Sequence, residues 1–387
     1  MHRSTDRILT THAGSLPRPK ELVEMFARQS RGERVEPEAL DAAIEAATRR
    51  VISRQRACGI DVGNNGEQPR ESFFTYVRHR MSGFGGTSQR PVMKDITHFR
   101  SFLDLKLADY SRTMVSLMNA PQAVAEVRYS DRSPLERECA DFRRLVAEEG
   151  DGFVESFMTA PSPGIVACAM TNAYYESLPR YVEALGRALQ TEYEHIVDEG
   201  LILQIDCPDL AMERHTLFAD RPLGDFLDFV DLVIGVINRA LDRVPRERVR
   251  LHVCWGNYEG PHVFDVPLED ILPRLYSIRV GALMLSMANP RHAHEHRCFT
   301  RHPLPDDMLL VAGVIDTTTN YVEHPEVVAD RLEQVARVVG DPTRLLAGTD
   351  CGFDTSAGLG EVADEIVWEK LAALRAGADL ATQRLLA

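Results

Sequence analysis

The chain contains no apolar run approaching the roughly 18 residues that a membrane-spanning helix needs, which argues against an integral membrane protein. Its first residues, MHRSTDRILTTHAGSLPRP, include no apolar stretch of signal-peptide length, so the expectation is a cytoplasmic protein. Positive charge is in deficit: 44 Lys+Arg against 58 Asp+Glu give a net charge of −14. Such a field repels phosphate backbones and speaks against general nucleic-acid binding. The seven cysteines (Cys58, Cys139, Cys168, Cys207, Cys254, Cys298 and Cys351) are scattered, odd in number and form no CxxC pair. A disulfide framework is therefore excluded in favour of free thiols or metal ligands. Internal repeats and low-complexity linkers are absent too. What remains is a chain of 387 residues with 44% hydrophobic and 26% charged residues, ordinary values for a soluble globular protein.

The hydrophobic pattern predicts helices over 37–58, ended by Gly59, and over 179–199, ended by Gly200. Further helices are expected near 222–242, 268–276, from Pro325 onward, and near 359–376. Between them lie short apolar runs at 201–206, 249–255, 282–287, 309–316 and 345–350, which read as strands buried on both faces. Helix–strand alternation of this kind is the pattern of a parallel sheet, either open or closed into a barrel. ILTTHAGS (8–15), GIDVGNNGE (59–67) and AVAEVRYS (123–130) are additional strand candidates. The stretch 84–150 breaks the rhythm and is expected to be an insertion over one face. Glu67, Asp206, His252, Cys254, Asp316 and Cys351 each follow an apolar run. That favours a TIM (β/α)8 barrel, in which strand ends converge on one mouth where the chemistry sits. The expectation is one domain over 1–387.

In a strand, residues two apart face the same side, so His252 and Cys254 can address one metal ion. Imidazole nitrogen and thiolate sulfur are ligand types that zinc prefers, although a His and a Cys on a strand are more often simply packed. Cys351, at the end of LLAGTD and before Gly352, is placed to complete a three-ligand site. Three protein ligands leave a position open, which is the catalytic arrangement.

Five segments carry a family signature: THAGSLPRP (11–19), GIDVGNNGE (59–67), LQIDCPDLA (203–211), HVC (252–254) and DCG (350–352). In this order they resemble the catalytic C-terminal half of cobalamin-independent methionine synthase and its shorter single-barrel relatives. The resemblance covers most of the chain but is weak across 84–150. It implies a TIM barrel with zinc held by His252, Cys254 and Cys351. The zinc would bind a thiol of homocysteine type and lower its pKa, and the thiolate would take a methyl or other alkyl group from a donor. Ser15, Glu67 and Asp206 would hold the amino-acid part of the thiol, two carboxylates being suited to an ammonium group. ANPRH (288–292) resembles a further family motif and places Arg291 and His292 at the mouth, with Arg291 toward substrate.

Two positions depart from the family. Its fourth zinc ligand, a Glu, is replaced by Ser286, or by Met287 in an alignment shifted by one. Its His after the Asp of the next strand, which protonates the folate leaving group, is replaced by Thr318, which cannot act as an acid near neutral pH. No side chain is therefore assigned as general acid or base; His324 would serve only if its loop folded back. These departures weaken methyltetrahydrofolate as donor and leave two rivals. One is a zinc thiol transferase opening an epoxide or another small electrophile; the other is a non-catalytic thiol- or metal-binding relative. The run PRHAHEHRCFTRH (290–302) suggests a second metal site, but beyond Arg291 and His292 a solvated loop is the simpler reading. A homo-oligomer is compatible with the sequence, which does not itself set the assembly state.

Overall fold

A computed structural model describes residues 1–110, 120–150 and 152–386. Nine strands run in chain order: β1 (Val62–Gly63), β2 (Met81–Gly85), β3 (Gln122–Tyr129), β4 (Glu155–Pro161), β5 (Ile202–Asp206), β6 (Val249–Val253), β7 (Ala282–Ser286), β8 (Leu309–Ile315) and β9 (Leu345–Thr349). Seven of them form one parallel sheet in the order β1-β4-β5-β6-β7-β8-β9, so that successive strands are neighbours. β5 to β9 are buried at every position, as their unbroken apolar character requires. Helices cover the outer face, including Pro37–Ala57, Leu178–Asp198, Leu223–Ala240, Pro325–Val339 and Asp364–Leu385. Gly340 ends the fourth of these at φ +81°, a left-handed turn that a side chain would strain.

Several expectations change. Segment 8–15 is not a full strand. Thr10 and Thr11 make single parallel bridges, one to Ala347 of β9 and one to Val62 of β1. The chain then leaves the sheet through Gly14, at φ +127°. The 123–130 run is a strand, but β3 pairs antiparallel with β2, away from the main sheet. Its middle residues Val124, Ala125 and Glu126 are exposed, which no doubly covered parallel strand permits. β4 was hidden in the sequence because ESFMTAP mixes polar residues and a proline into the run. The last helix starts at Asp364 rather than near 359, after the glycine-containing stretch 358–360, with Asp364 and Glu365 in its first turn.

The expected insertion also shrinks. Helix Ser133–Glu148 packs against the helices Pro37–Ala57 and Leu178–Asp198 as part of the outer layer. Residues 111–119 of the predicted 84–150 insertion lie outside the described residues. Residues 90–106 reach over the C-terminal ends of the strands. Arg90 pairs with Glu213 after β5, Asp95 with Tyr258 after β6, and Lys106 with Glu361 after β9. Among the described residues, no helix is long and apolar enough to cross a membrane.

Candidate metal centre and the carboxylates beside it

Alternation along each strand sorts its side chains. Ile202, Ala282, Met284, Leu309 and Val311 pack together on the inner face of the sheet, while Leu203, Leu251 and Leu283 pack toward the helices. Toward the C-terminal ends the inner positions turn polar: Ile202 gives way to Gln204 and Asp206, and Met284 to Ser286. Strand register sets Asp206 opposite His252.

A buried relay runs up this inner face. The Arg250 guanidinium lies 3.7 Å above the Phe157 ring and donates to Gln204 Oε1 at 2.7 Å. Burial pushes its pKa down to about 9. Gln204 Nε2 donates to Asp206 Oδ1 at 2.7 Å, and Asp206 Oδ1 lies 3.0 Å from His252 Nδ1. A carboxylate at Nδ1 fixes the ring, as around metal-bound histidines, and Nε2 faces the Asp350 carbonyl at 3.1 Å on the side of Cys351.

The structure brings His252, Cys254 and Cys351 together. Their ligand atoms all lie within 4.8 Å of one another, and all three residues are buried. The Cys254 thiol is held well below its usual range by a hydrogen bond with Cys351, against the effect of burial, and by His252. Burial opposes charge on His252, but the contacts with Asp206 and Cys254 raise its pKa to about 10. Two soft sulfurs and one imidazole make a donor set suited to zinc. Ser286 Oγ donates to the Asp350 carbonyl at 2.9 Å, so the hydroxyl at the family's Glu position is turned to a backbone oxygen. The Asp350 carboxylate accepts the backbone N–H groups of Met287, Ala288 and Asn289 at 2.7–2.9 Å, holding the loop after β7 against the end of β9.

Ser15 abuts this group. A Cβ on Gly352 would lie 2.0 Å from Ser15 Oγ, so only glycine fits beside Cys351. Glu67 is the unusual member of the site. It adopts φ +56°, a costly conformation for a residue with a side chain. Its Oε1 accepts a hydrogen bond from Thr159 Oγ1 at 2.8 Å, while Oε2 is buried without a partner. Burial, then the charge of Asp206, push its pKa up to about 7.

A partly open pocket adjoins Cys351 and Ser286, with Trp255, Asn257, His292 and Thr318 among its lining residues. Arg291 is exposed and donates to the His262 carbonyl at 3.0 Å; it is not among the lining residues. Thr318 donates through both its N–H and its hydroxyl to Asp316 Oδ1, at 2.7 and 3.0 Å. His324 is exposed and caps the helix Pro325–Val339, accepting from the Glu326 N–H at 3.2 Å, so its loop does not fold back. The 290–302 run is not a solvated loop throughout: His292, Glu295, His296 and Cys298 are buried around a short 3₁₀ helix, Glu295–Thr300. Sequence reasoning missed Thr159 and Arg250, which belong to no local motif, and gave Gln204 no role although it lies in the LQIDCPDLA segment.

Fold and donor set together describe an α/β protein with a candidate sulfur–nitrogen metal site at its strand ends, next to a pair of carboxylates. Comparison with known proteins finds similar chains among methionine synthases and a 2-hydroxypropyl-CoM lyase. The chain is 26% identical to the methionine synthase of Sulfolobus acidocaldarius over 346 residues, which cover 89% of this chain and 85% of the relative. It is 23% identical to the 2-hydroxypropyl-CoM lyase of Xanthobacter autotrophicus, with 89% of each chain covered. No family model matches the sequence. A solved B12-independent methionine synthase from a Shewanella species, in complex with selenomethionine, superposes with a TM-score of 0.72 at 20% identity. That match covers 98% of this chain and 99% of the other, so the fold is shared from end to end. The resemblance read from the five motifs is thereby borne out.

Proposed function

We propose that the protein is a zinc-dependent, cobalamin-independent alkyltransferase that moves a methyl group to a thiol of homocysteine type. The chain would act as one domain, a closed (β/α)8 barrel. The bridges from Thr10 to Ala347 and from Thr11 to Val62 support closure, because they join the two edge strands through one segment. The observation that carries the functional reading is the convergence of His252, Cys254 and Cys351 near the Glu67 carboxylate, whose Oε2 is buried without a partner.

In this reading His252, Cys254 and Cys351 hold zinc, with Asp206 orienting the histidine. Bound zinc supplies a Lewis acid that lowers the pKa of a thiol at the position a fourth ligand would take. Glu67 and Asp206 hold the substrate ammonium, and Ser15 borders its carboxyl end. An ammonium between the two acids offsets the burial and the repulsion that keep Glu67 protonated, so Glu67 releases its proton as substrate binds. The pocket beyond Cys351 receives the donor and keeps water from the sulfur. Arg291 is proposed to act from the rim, meeting donor or thiol as it enters.

A second reading is favoured by one observation. Thr318 stands where an acid would protonate a poor leaving group, and both its polar groups are committed to Asp316. An electrophile that needs no such acid, such as a strained epoxide or a cationic methyl donor, suits this pocket better than a folate. The test is thiol consumption by zinc-loaded protein, with homocysteine offered methyltetrahydrofolate, a cationic methyl donor and a panel of epoxides. S-methylation supports the first reading, and ring opening supports the second. If no donor alkylates any thiol, both readings fall.

A further inference from the structure

Away from Cys254 and Cys351, three imidazoles from three different loops face one carboxylate. His262 and Asp265 lie in the loop after β6, His292 in the loop after β7, and His215 in the 3₁₀ helix Met212–His215 after β5. Asp265 Oδ2 is 2.9 Å from His262 Nδ1 and 2.8 Å from His292 Nε2, and their ligand atoms lie within 4.8 Å of one another. Their side chains are 3–5% exposed.

The other nitrogen of each ring is already committed. His262 Nε2 faces the Tyr258 carbonyl at 3.1 Å, and His292 Nδ1 faces Glu295 Oε2 at 2.8 Å. Metal-binding histidines are held this way, with one nitrogen on a carbonyl or carboxylate and the other aimed at the ion. Trp255 stacks on His292 at 3.9 Å between centroids and closes one side.

His215 supplies the independent observation. Its side chain is fully buried, and neither ring nitrogen meets a partner at full hydrogen-bonding geometry; its near contacts are the Trp255 backbone and Asp95 Oδ2, 3.8 Å from Nδ1. Nε2 points to Asp265 Oδ1, 3.6 Å away, which is itself buried and without a partner. That distance is too long for a hydrogen bond but suits two donors each about 2.1 Å from one zinc-class ion. A buried nitrogen and a buried carboxylate oxygen left facing each other across such a gap call for something between them. His262 also adopts φ +51°; among the described residues, it and Glu67 are the only non-glycine residues with positive φ.

We propose that His262, His292 and Asp265 form a second site for a divalent transition ion of the zinc class, with His215 facing the other Asp265 oxygen in an adjoining group with Asp95. The ion pins together the loops after β6 and β7. Its ligands are nitrogen and oxygen only, in contrast to the sulfur-containing site, and it borders the pocket through His262 and His292. Nothing in this proposal depends on the thiol chemistry.

The test is metal content of protein reconstituted with zinc and desalted, in the wild type and in Cys351→Ala, Asp265→Asn and His292→Ala variants. Two equivalents are expected in the wild type. One should be lost in Cys351→Ala, and the other in Asp265→Asn and in His292→Ala. Cobalt(II) added to the Cys254→Ala/Cys351→Ala variant gives visible ligand-field bands without a sulfur charge-transfer band. One wild-type equivalent that disappears in Cys351→Ala overturns the proposal while leaving the alkyltransferase reading intact. One equivalent that survives in Cys351→Ala supports this site and removes the other. Where a variant fails to fold, the wild type still decides: two equivalents support the proposal, and one equivalent whose cobalt(II) form shows a sulfur charge-transfer band overturns it.

Discussion

Two buried glutamates on neighbouring parts of the molecule show how differently this fold treats charge. Glu138 sits between Arg70 and Arg80, takes a hydrogen bond from Asn65 at 2.8 Å, and has its pKa lowered to about 2 despite burial. Nearby, Glu192 receives Arg80 together with the hydroxyls of Tyr76 and Tyr129, which ties β2 and β3 to the helical layer. Glu67 is equally buried but has a second acid, Asp206, for company and an oxygen with no partner, and its pKa rises to about 7. One carboxylate is satisfied by the protein and serves stability. The other is left to be satisfied by something else, which is how a binding site for a cation looks before the cation arrives.

The comparison can be broken or sharpened by mutation. The largest effect is expected at the metal centre itself. Cys351→Ala should lower thiol alkylation about a thousandfold, the loss of several kcal/mol of charge stabilisation, with little change in melting temperature. Glu138→Ala should do the reverse. It leaves two buried guanidiniums short of a partner and should cost about 3–5 kcal/mol in urea denaturation, while a folded fraction keeps its kcat. Glu67→Gln should raise KM for an amino-acid thiol roughly 10–100-fold, the equivalent of a charged hydrogen bond worth about 1.5–3 kcal/mol. A thiol lacking the amino group should not distinguish this variant from wild type.

The smallest effect is a pH signature without substrate. Glu67 keeps its proton in the folded state up to about 7, whereas the unfolded chain releases it near 4.5. The folded state therefore binds more protons in that window, and Glu67 makes stability fall as pH rises from about 4.5 to about 7. Glu138 acts with the opposite sign: its contribution is present above about 4.5 and is lost as pH falls toward 2. Denaturation curves across pH should flatten above pH 4.5 in Glu67→Gln, whose difference from wild type isolates this residue. Identical slopes would remove the contrast between the two acids.

Much of the site was legible because its chemistry is local. His252 and Cys254 are two apart on a strand, and Cys351 follows an apolar run that could hardly be anything but a strand. β4 was not legible, since a strand whose inner face turns polar at the mouth loses the apolar run that marks its neighbours. The role of Asp206 was only half readable: its contact with His252 Nδ1 exists only in the register of β5 and β6. The histidine run at 290–302 looked like surface because its partners His215, His262 and Asp265 come from other loops, 25 or more positions away in the chain.

The central claim is that a thiol joins a sulfur-containing zinc centre. X-ray absorption at the zinc edge, on protein loaded with one equivalent of zinc, tests it most directly. The account predicts two sulfurs around the metal in the resting protein and a third when homocysteine is added. A sulfur count that no thiol changes, or a zinc environment without sulfur, would contradict it.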